Sequence, residues 1–200
     1  MNLDDFKKNY LAENNLLEHS ELVSNLSLKL FKELLRFFPN LKKYNNKTDL
    51  TLLHYGAILH DIGVIFEKNI NKGHHKIGRD LILENKISDL DEVSNLIVAN
   101  IVRYHRKALP DAKEHHYYNI LSPDDRRKVD IFASIVRICD AIDFNHLNMV
   151  DELFVKYDES LSILTINIPI NIMLNIGYDK SLKRKKDFLE KTLGVEVLFN

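Results

Sequence analysis

The constraint that narrows the fold most is a change in hydropathic period near residue 150. Upstream, apolar residues recur at steps of three and four, the spacing that places side chains on one face of an α-helix. Leu16, His19, Val23, Leu26, Leu30 and Leu34 form one such stripe, which Pro39-Asn40 interrupts. Leu53, Ala57, His60 and Asp61 predict a second helix ending at Gly63, and His74 to about Asn85 predicts a third, following Gly73. Asp91-Glu92 open a fourth carrying Val93, Leu96, Ile97, Ile101 and Tyr104. A fifth runs from about Arg126 through Val129, Ala133, Val136 and Asp140 toward His146. Residues 1 to about 15 give no strong signal, and Leu109–Asp125, with Pro110 and Pro123, reads as a long surface loop.

Downstream the period becomes two. Leu153, Val155 and Tyr157 alternate, Asp158-Glu159-Ser160 supplies a turn, and Leu161, Ile163, Thr165 and Asn167 alternate with Leu164, Ile166 and Ile168. That pattern is a hairpin. Asp179–Leu193 reads as an amphipathic helix with Gly194 as its C-cap, and Val195–Phe199 as a last strand. The expected architecture is mostly α, with a helical bundle over 1–150 and a small ββαβ subdomain over 151–200.

Composition narrows the partners. Lys plus Arg number 28 and Asp plus Glu 29, for a formal net charge of −1, so no global field draws nucleic acid or an anionic membrane. No apolar run approaches the roughly 18 residues of a membrane span. The one cysteine, Cys139, cannot form an internal disulfide, so a reducing, cytoplasmic setting is expected. Nine histidines against that one cysteine direct attention to imidazole chemistry.

Several histidines and two aspartates fall on faces that should pack inward. His19 lies on the first long stripe, and taken alone reads as a satisfied core histidine. His60 and Asp61 share the face of Ala57. Asp140 follows Val129, Ala133 and Val136, His105 follows Ile97 and Ile101, and His74 shares a face with Ile77 and Leu81. A buried carboxylate costs several kcal/mol unless a cation or donors satisfy it. Five helices that each turn such groups inward are explained together by one shared divalent cation. His19, His60, Asp61 and Asp140 would give a mixed nitrogen and oxygen set suited to Mn, Fe, Co, Zn or Mg, with positions left for water and a substrate oxygen.

His19, the run Leu59-His60-Asp61-Ile62-Gly63, and Asp140 within Arg137–Asp143 resemble the ordered H…HD…D signature of the HD-domain superfamily. Gly73-His74-His75-Lys76, Arg103-Tyr104-His105-Arg106-Lys107 and Arg137–Asp143 further resemble the C-terminal HD domain of the exopolyphosphatase and guanosine-pentaphosphate phosphatase (Ppx/GppA) family, over roughly Leu16 to Asn200. The resemblance implies an HD helical bundle in which His19, His60, Asp61 and Asp140 hold a divalent metal. It makes Asp61 a bridge if there are two ions, and His74 and His105 second-metal or phosphate-contact residues. Asp61, His74 and His105 would then carry the catalysis, with Lys76, Arg106 and Lys107 clamping phosphate. It also suggests a homodimer. Nothing in the chain resembles the N-terminal actin-like pair of domains that holds the polyphosphate-hydrolysing machinery of that family.

Two readings follow. The first is a metal-dependent phosphohydrolase acting on a nucleotide or other phosphorylated small molecule. The second is a non-catalytic regulatory or accessory module that binds nucleotide, polyphosphate or a phosphatase partner. Lys183-Arg184-Lys185-Lys186 reads as the solvated face of an amphipathic helix, Cys139 as core, and His115-His116 as an exposed loop pair. His54 and His146 have no supporting partners in the sequence.

Overall fold

A computed structural model describes residues 1–12, 16–67, 72–146, 150, 152–168 and 176–200. The helices are α1 (Leu3–Tyr10), α2 (Leu16–Leu34), α3 (Lys47–Ile58), α4 (Val64–Glu67), α5 (His74–Asn85), α6 (Glu92–Tyr104), α7 (His116–Asn119), α8 (Pro123–Ile142), α9 (Ile176–Lys185) and α10 (Asp187–Leu193), with a 3-10 segment at Pro39–Tyr44. Three strands complete the chain: β1 (Phe154–Asp158), β2 (Ile163–Asn167) and β3 (Glu196–Phe199). The mostly helical class is thus as the sequence predicts.

The starts of the helices are set by side chains that accept otherwise orphaned backbone N–H groups. Asn46 accepts from Asp49 N at 2.9 Å before α3, Asp91 from Ser94 N at 2.7 Å before α6, and Ser122 from Asp125 N at 3.1 Å before α8. Pro123 occupies the first turn of α8, where its missing N–H costs nothing, so this helix begins three residues earlier than its apolar stripe suggests. The expected long loop is shortened accordingly and also contains α7.

The second predicted helix stops early. α3 ends at Ile58, and Leu59–Gly63 form a turn that carries His60 and Asp61. The His60 ring takes the Ala57 carbonyl as its partner, and the chain then passes so close to α5 that a Cβ on Gly63 would meet the His74 carbonyl.

α6 and α8 form the centre. α6 packs against α3, α5 and α8, while α8 also contacts α2, α9 and α10. β1 pairs antiparallel with β2, Tyr157 opposite Leu164, and β2 pairs parallel with β3, Ile163 opposite Glu196. Between β2 and β3 the chain forms two short helices where the sequence suggests one, separated at Lys186. Phe188 and Leu189 of α10 join Leu182 of α9, Val155, Leu164 and Val197 in the same buried cluster as Val23, Ile101 and Val136. The expected boundary at 150–151 adjoins residues 147–149 and 151, which lie outside the described residues.

Candidate metal centre

His60 and His105 stand in similar places, just past the ends of α3 and α6. Each folds its imidazole back so that Nδ1 lies 2.7 Å from the carbonyl three residues earlier, Ala57 O for His60 and Val102 O for His105. A carbonyl only accepts, so each Nδ1 donates and each Nε2 keeps its lone pair in the neutral ring. His19 Nδ1 lies 2.7 Å from Asp143 Oδ2, and His74 Nδ1 lies 2.9 Å from Glu67 Oε2. These carboxylates impose the same choice. Four imidazoles therefore direct Nε2 inward, and their orientation is set from behind.

The four meet in two pairs. His19 Nε2 and His60 Nε2 are 3.2 Å apart, and His74 Nε2 and His105 Nε2 are 3.4 Å apart. Asp61 lies between the pairs: Oδ2 is 3.5 Å from His60 Nε2, while Oδ1 is 3.1 Å from His74 Nε2 and 3.6 Å from His105 Nε2. Asp140 Oδ1 is 3.8 Å from His19 Nε2 and 4.0 Å from His60 Nε2. Ligand atoms of His19, His60 and Asp61 all lie within 4.8 Å of one another, as do those of Asp61, His74 and His105. Two facing imidazole lone pairs repel unless a proton or a cation stands between them. The donor set, imidazole nitrogen and carboxylate oxygen without thiolate, fits a divalent cation at each pair.

The charges agree. Burial alone would lower the His19 pKa, but the hydrogen bond that its Nδ1 donates to Asp143 and the charges of Asp140 and Asp61 outweigh it and raise the value. His60 and His105 are lowered by burial, His105 strongly. Burial pushes the Asp61 carboxyl up, yet His60, His74 and His105 together hold it well below the usual carboxylate range. Asp140 behaves likewise, with Lys185 the foremost of the charges that hold it down. His74 is raised, since Asp61 and Glu67 outweigh its burial.

The centre opens into a cleft of about 580 Å³. Asp61, His74 and Asp140 lie at its floor, with Arg106 and Lys107 on its wall. Arg106 Nη1 reaches His74 Nε2 at 2.9 Å. Lys76, expected to clamp phosphate, is exposed and is not on the cleft. It follows His74 by two residues, about 200° around α5, so it points away when His74 points in.

Sequence reasoning missed four neighbours of the centre. Asp143 follows Asp140 by three residues at the end of α8, a same-face spacing that could have revealed it. Glu67 stands in the short α4 and carried no signal. His146, without a partner in the sequence, stacks on His19 with ring centroids 3.9 Å apart. Lys185 does not sit on a solvated face: it is 8% exposed, bonded to Asp140, and lines the cleft beside Arg184. Cys139 is core, with its thiol pushed up to about 12 by burial.

The fold and this cluster define a helical domain with a histidine–aspartate metal centre. The chain belongs to the HD-domain family, whose model matches residues 16–145. HD domains are a superfamily of metal-dependent phosphohydrolases. No curated protein matches the chain. No described helix is long and apolar enough to cross a membrane.

Proposed function

We propose that the protein is a metal-dependent phosphohydrolase acting on a nucleotide or another phosphorylated small molecule. The observation that carries this reading is the pairing of inward Nε2 atoms on either side of Asp61, beside a cleft walled by Arg106 and Lys107. His19, His60, Asp61 and Asp140 would hold one divalent cation, and Asp61, His74 and His105 a second. Such a cation, when bound, polarises a phosphoryl oxygen and lowers the pKa of water. Asp143 and Glu67 keep His19 and His74 in one orientation, and Ala57 O and Val102 O do so for His60 and His105. Arg106 and Lys107 supply fixed positive charge for phosphoryl oxygens. His19, His60 and His105 are buried, while His74 reaches the cleft.

The finer relationship, to the C-terminal HD domain of exopolyphosphatases, is supported by the motif order and by the way its residues gather. His74, Arg106, Lys107, Arg137 and Asp140, from three separate runs, all line one cleft. On this reading residues 1–150 are the catalytic unit and 151–200 an appended one, in a cytoplasmic homodimer.

A second reading, a non-catalytic module that binds nucleotide or a phosphatase partner, draws on one observation. The Lys185 ammonium is bonded to Asp140 Oδ2, beside the Oδ1 that faces His19 and His60, and so supplies positive charge next to the place an enzyme would put its metal. One experiment separates the two: quantify metal in protein purified without chelator, and measure phosphate release from a nucleotide panel. The enzyme reading expects metal uptake and turnover that fall at least a hundredfold in Asp61→Ala and His60→Ala. Nucleotide binding without turnover, or turnover unchanged in both variants, would reject it.

A further inference from the structure

The break at Lys186 changes what the last helical stretch can reach. In a continuous helix Lys185 and Asp187, two residues apart, would diverge by about 200°. With α9 ended at Lys185 and α10 begun at Asp187, both side chains meet α8. Lys185 is bonded to Asp140 Oδ2, which leaves Oδ1 facing His19 and His60, and Asp187 Oδ1 lies 3.5 Å from Arg137 Nη2. Arg137 and Asp140 are three residues apart, neighbours on one face of α8. A cation thus meets the anion and an anion the cation, so the two helices and α8 match in register as well as in sign. The family match stops at residue 145, so half of this clasp lies outside it.

The other arm of Arg137 reaches the loop after α6. Arg137 is 4% exposed, and its Nη1 donates to the Lys107 carbonyl at 3.0 Å. Lys107 has φ at 62°, in the left-handed region, which a residue bearing a Cβ adopts only at a cost. Such a conformation persists where the surrounding structure holds it, and Arg137 supplies that hold from α8. The same stretch of backbone carries Arg106, whose Nη1 reaches His74 Nε2 at 2.9 Å, and His105, whose Nε2 is 3.4 Å from that of His74.

We infer that Arg137 is a positioning residue of the metal centre: seated by Asp187, it holds the left-handed turn at Lys107 and thereby places His105 and Arg106 against His74. The appended C-terminal unit thus completes the site. The inference rests on the metal-dependent reading and deepens it. Arg137→Lys separates geometry from charge. It keeps the cation, but a point ammonium cannot serve the Lys107 carbonyl and the Asp187 carboxylate in the two directions that a planar guanidinium spans.

Two measurements on the full chain test this. In metal-free protein, ¹⁵N relaxation should show the backbone order parameters of residues 106–108 falling in Arg137→Lys from the rigid range near 0.85 to below about 0.7, with those of α8 unchanged. By calorimetry, Mn²⁺ affinity should fall about tenfold in the same variant. Glycine enters the left-handed region without a holder, so in a Lys107→Gly background Arg137→Lys should cost less than threefold. Asp187→Asn, at a half-exposed position, should give both changes at smaller size, and it decides the matter if Arg137→Lys does not fold. Order parameters unchanged in both variants overturn the hold on the turn. A loosened turn with unchanged Mn²⁺ affinity overturns the positioning role. An affinity loss that is as large in the Lys107→Gly background shows that Arg137 acts by another route, and overturns the inference. Asp187→Asn without effect, beside an Arg137→Lys that moves both readouts, removes the C-terminal unit from it. A wild-type chain that takes up no Mn²⁺ defeats the metal reading instead, and the order parameters still decide whether Arg137 and Asp187 hold the turn.

Discussion

Asp143 shows how much a single side chain behind a ligand can decide. Its Oδ2 lies 2.7 Å from His19 Nδ1, and it is 1% exposed, so without it His19 loses both its tautomer and its orientation. Asp143→Ala should weaken Mn²⁺ binding about ten- to a hundredfold by calorimetry. Asp143→Asn, which keeps an acceptor oxygen, should weaken it less. If both variants bind Mn²⁺ like the wild type, Asp143 does not position His19. A different histidine reports on pH. His54 is half-buried, its Nδ1 is 2.7 Å from Ser24 Oγ, and its pKa is lowered by burial and then by Lys7. The native state therefore holds this ring neutral. The stability it contributes is complete above the unfolded value near 6.5 and is lost as pH falls through that value toward the lower folded one. Wild-type urea midpoints at pH 7.5 and pH 5 should differ more than those of His54→Gln. The difference should be below about 1.4 kcal/mol per pH unit, because solvent reaches part of the ring. Equal slopes in the two proteins would count against it. Helical phase explains why His19, His74 and Asp140 could be singled out from sequence, since each shares a stripe with apolar residues that face the core; His60, Asp61 and His105 are reached by extending the stripes of α3 and α6 past the points where those helices stop. Lys185 could not be singled out, because its helix presents a basic run whose outward and inward members look the same until α9 is docked on α8.

At the scale of elements, the ends of helices do the placing. α3 and α6 both stop where a histidine can return to the carbonyl three residues back, and the periodicity that located both helices was silent on where they stop. The stop of α3 matters because the turn after it must pass close to α5. A Cβ on Gly63 would press on the His74 carbonyl and lie 2.8 Å from Gly78 N, backbone atoms that cannot give way. Gly63→Ala should push α5 outward, carrying His74 from Asp61. Thermal melting should fall by several degrees, and metal analysis should show the cation at His74 and His105 lost before the one at His19 and His60. A variant with unchanged melting and unchanged metal content would show that the turn has slack. At the other end of the chain, Gly194 closes α10 with φ at 72°, in the left-handed region, and nothing lies within 4 Å of its would-be Cβ. Gly194→Ala should therefore cost about 1 kcal/mol through backbone strain alone, read as a shift in urea midpoint, with Gly194→Asn costing less. The hairpin was legible from alternation, since one face of β1 and β2 is buried. The break between α9 and α10 was not, because the amphipathic pattern continues across it.

The whole molecule unites two parts that differ in hydropathic period. Val155, Leu164, Leu182, Phe188 and Leu189 are buried in the same cluster as Val136, Ile138 and Ile101, so the described residues after 151 share the core of the helical part. Lys185 extends this union into the site. If the parts share a core, they should share a transition: far-UV circular dichroism should show one cooperative melt, and Leu189→Ala, which leaves a cavity between α10 and α8, should destabilise the whole chain by about 2–5 kcal/mol. Metal then becomes a term in global stability, because the histidine pairs draw on α2, the turns after α3 and α6, and α5, which unfolding separates. Mn²⁺ at a hundred times its dissociation constant should add about 2.7 kcal/mol, and a chelator should remove it. The increment should vanish in Asp61→Ala and survive in His54→Gln, measured as the difference in urea midpoint with and without Mn²⁺. Two separate transitions, with the Mn²⁺ increment confined to one of them, would mean that residues 151–200 fold apart from the metal centre, and that Lys185 reaches Asp140 only by docking.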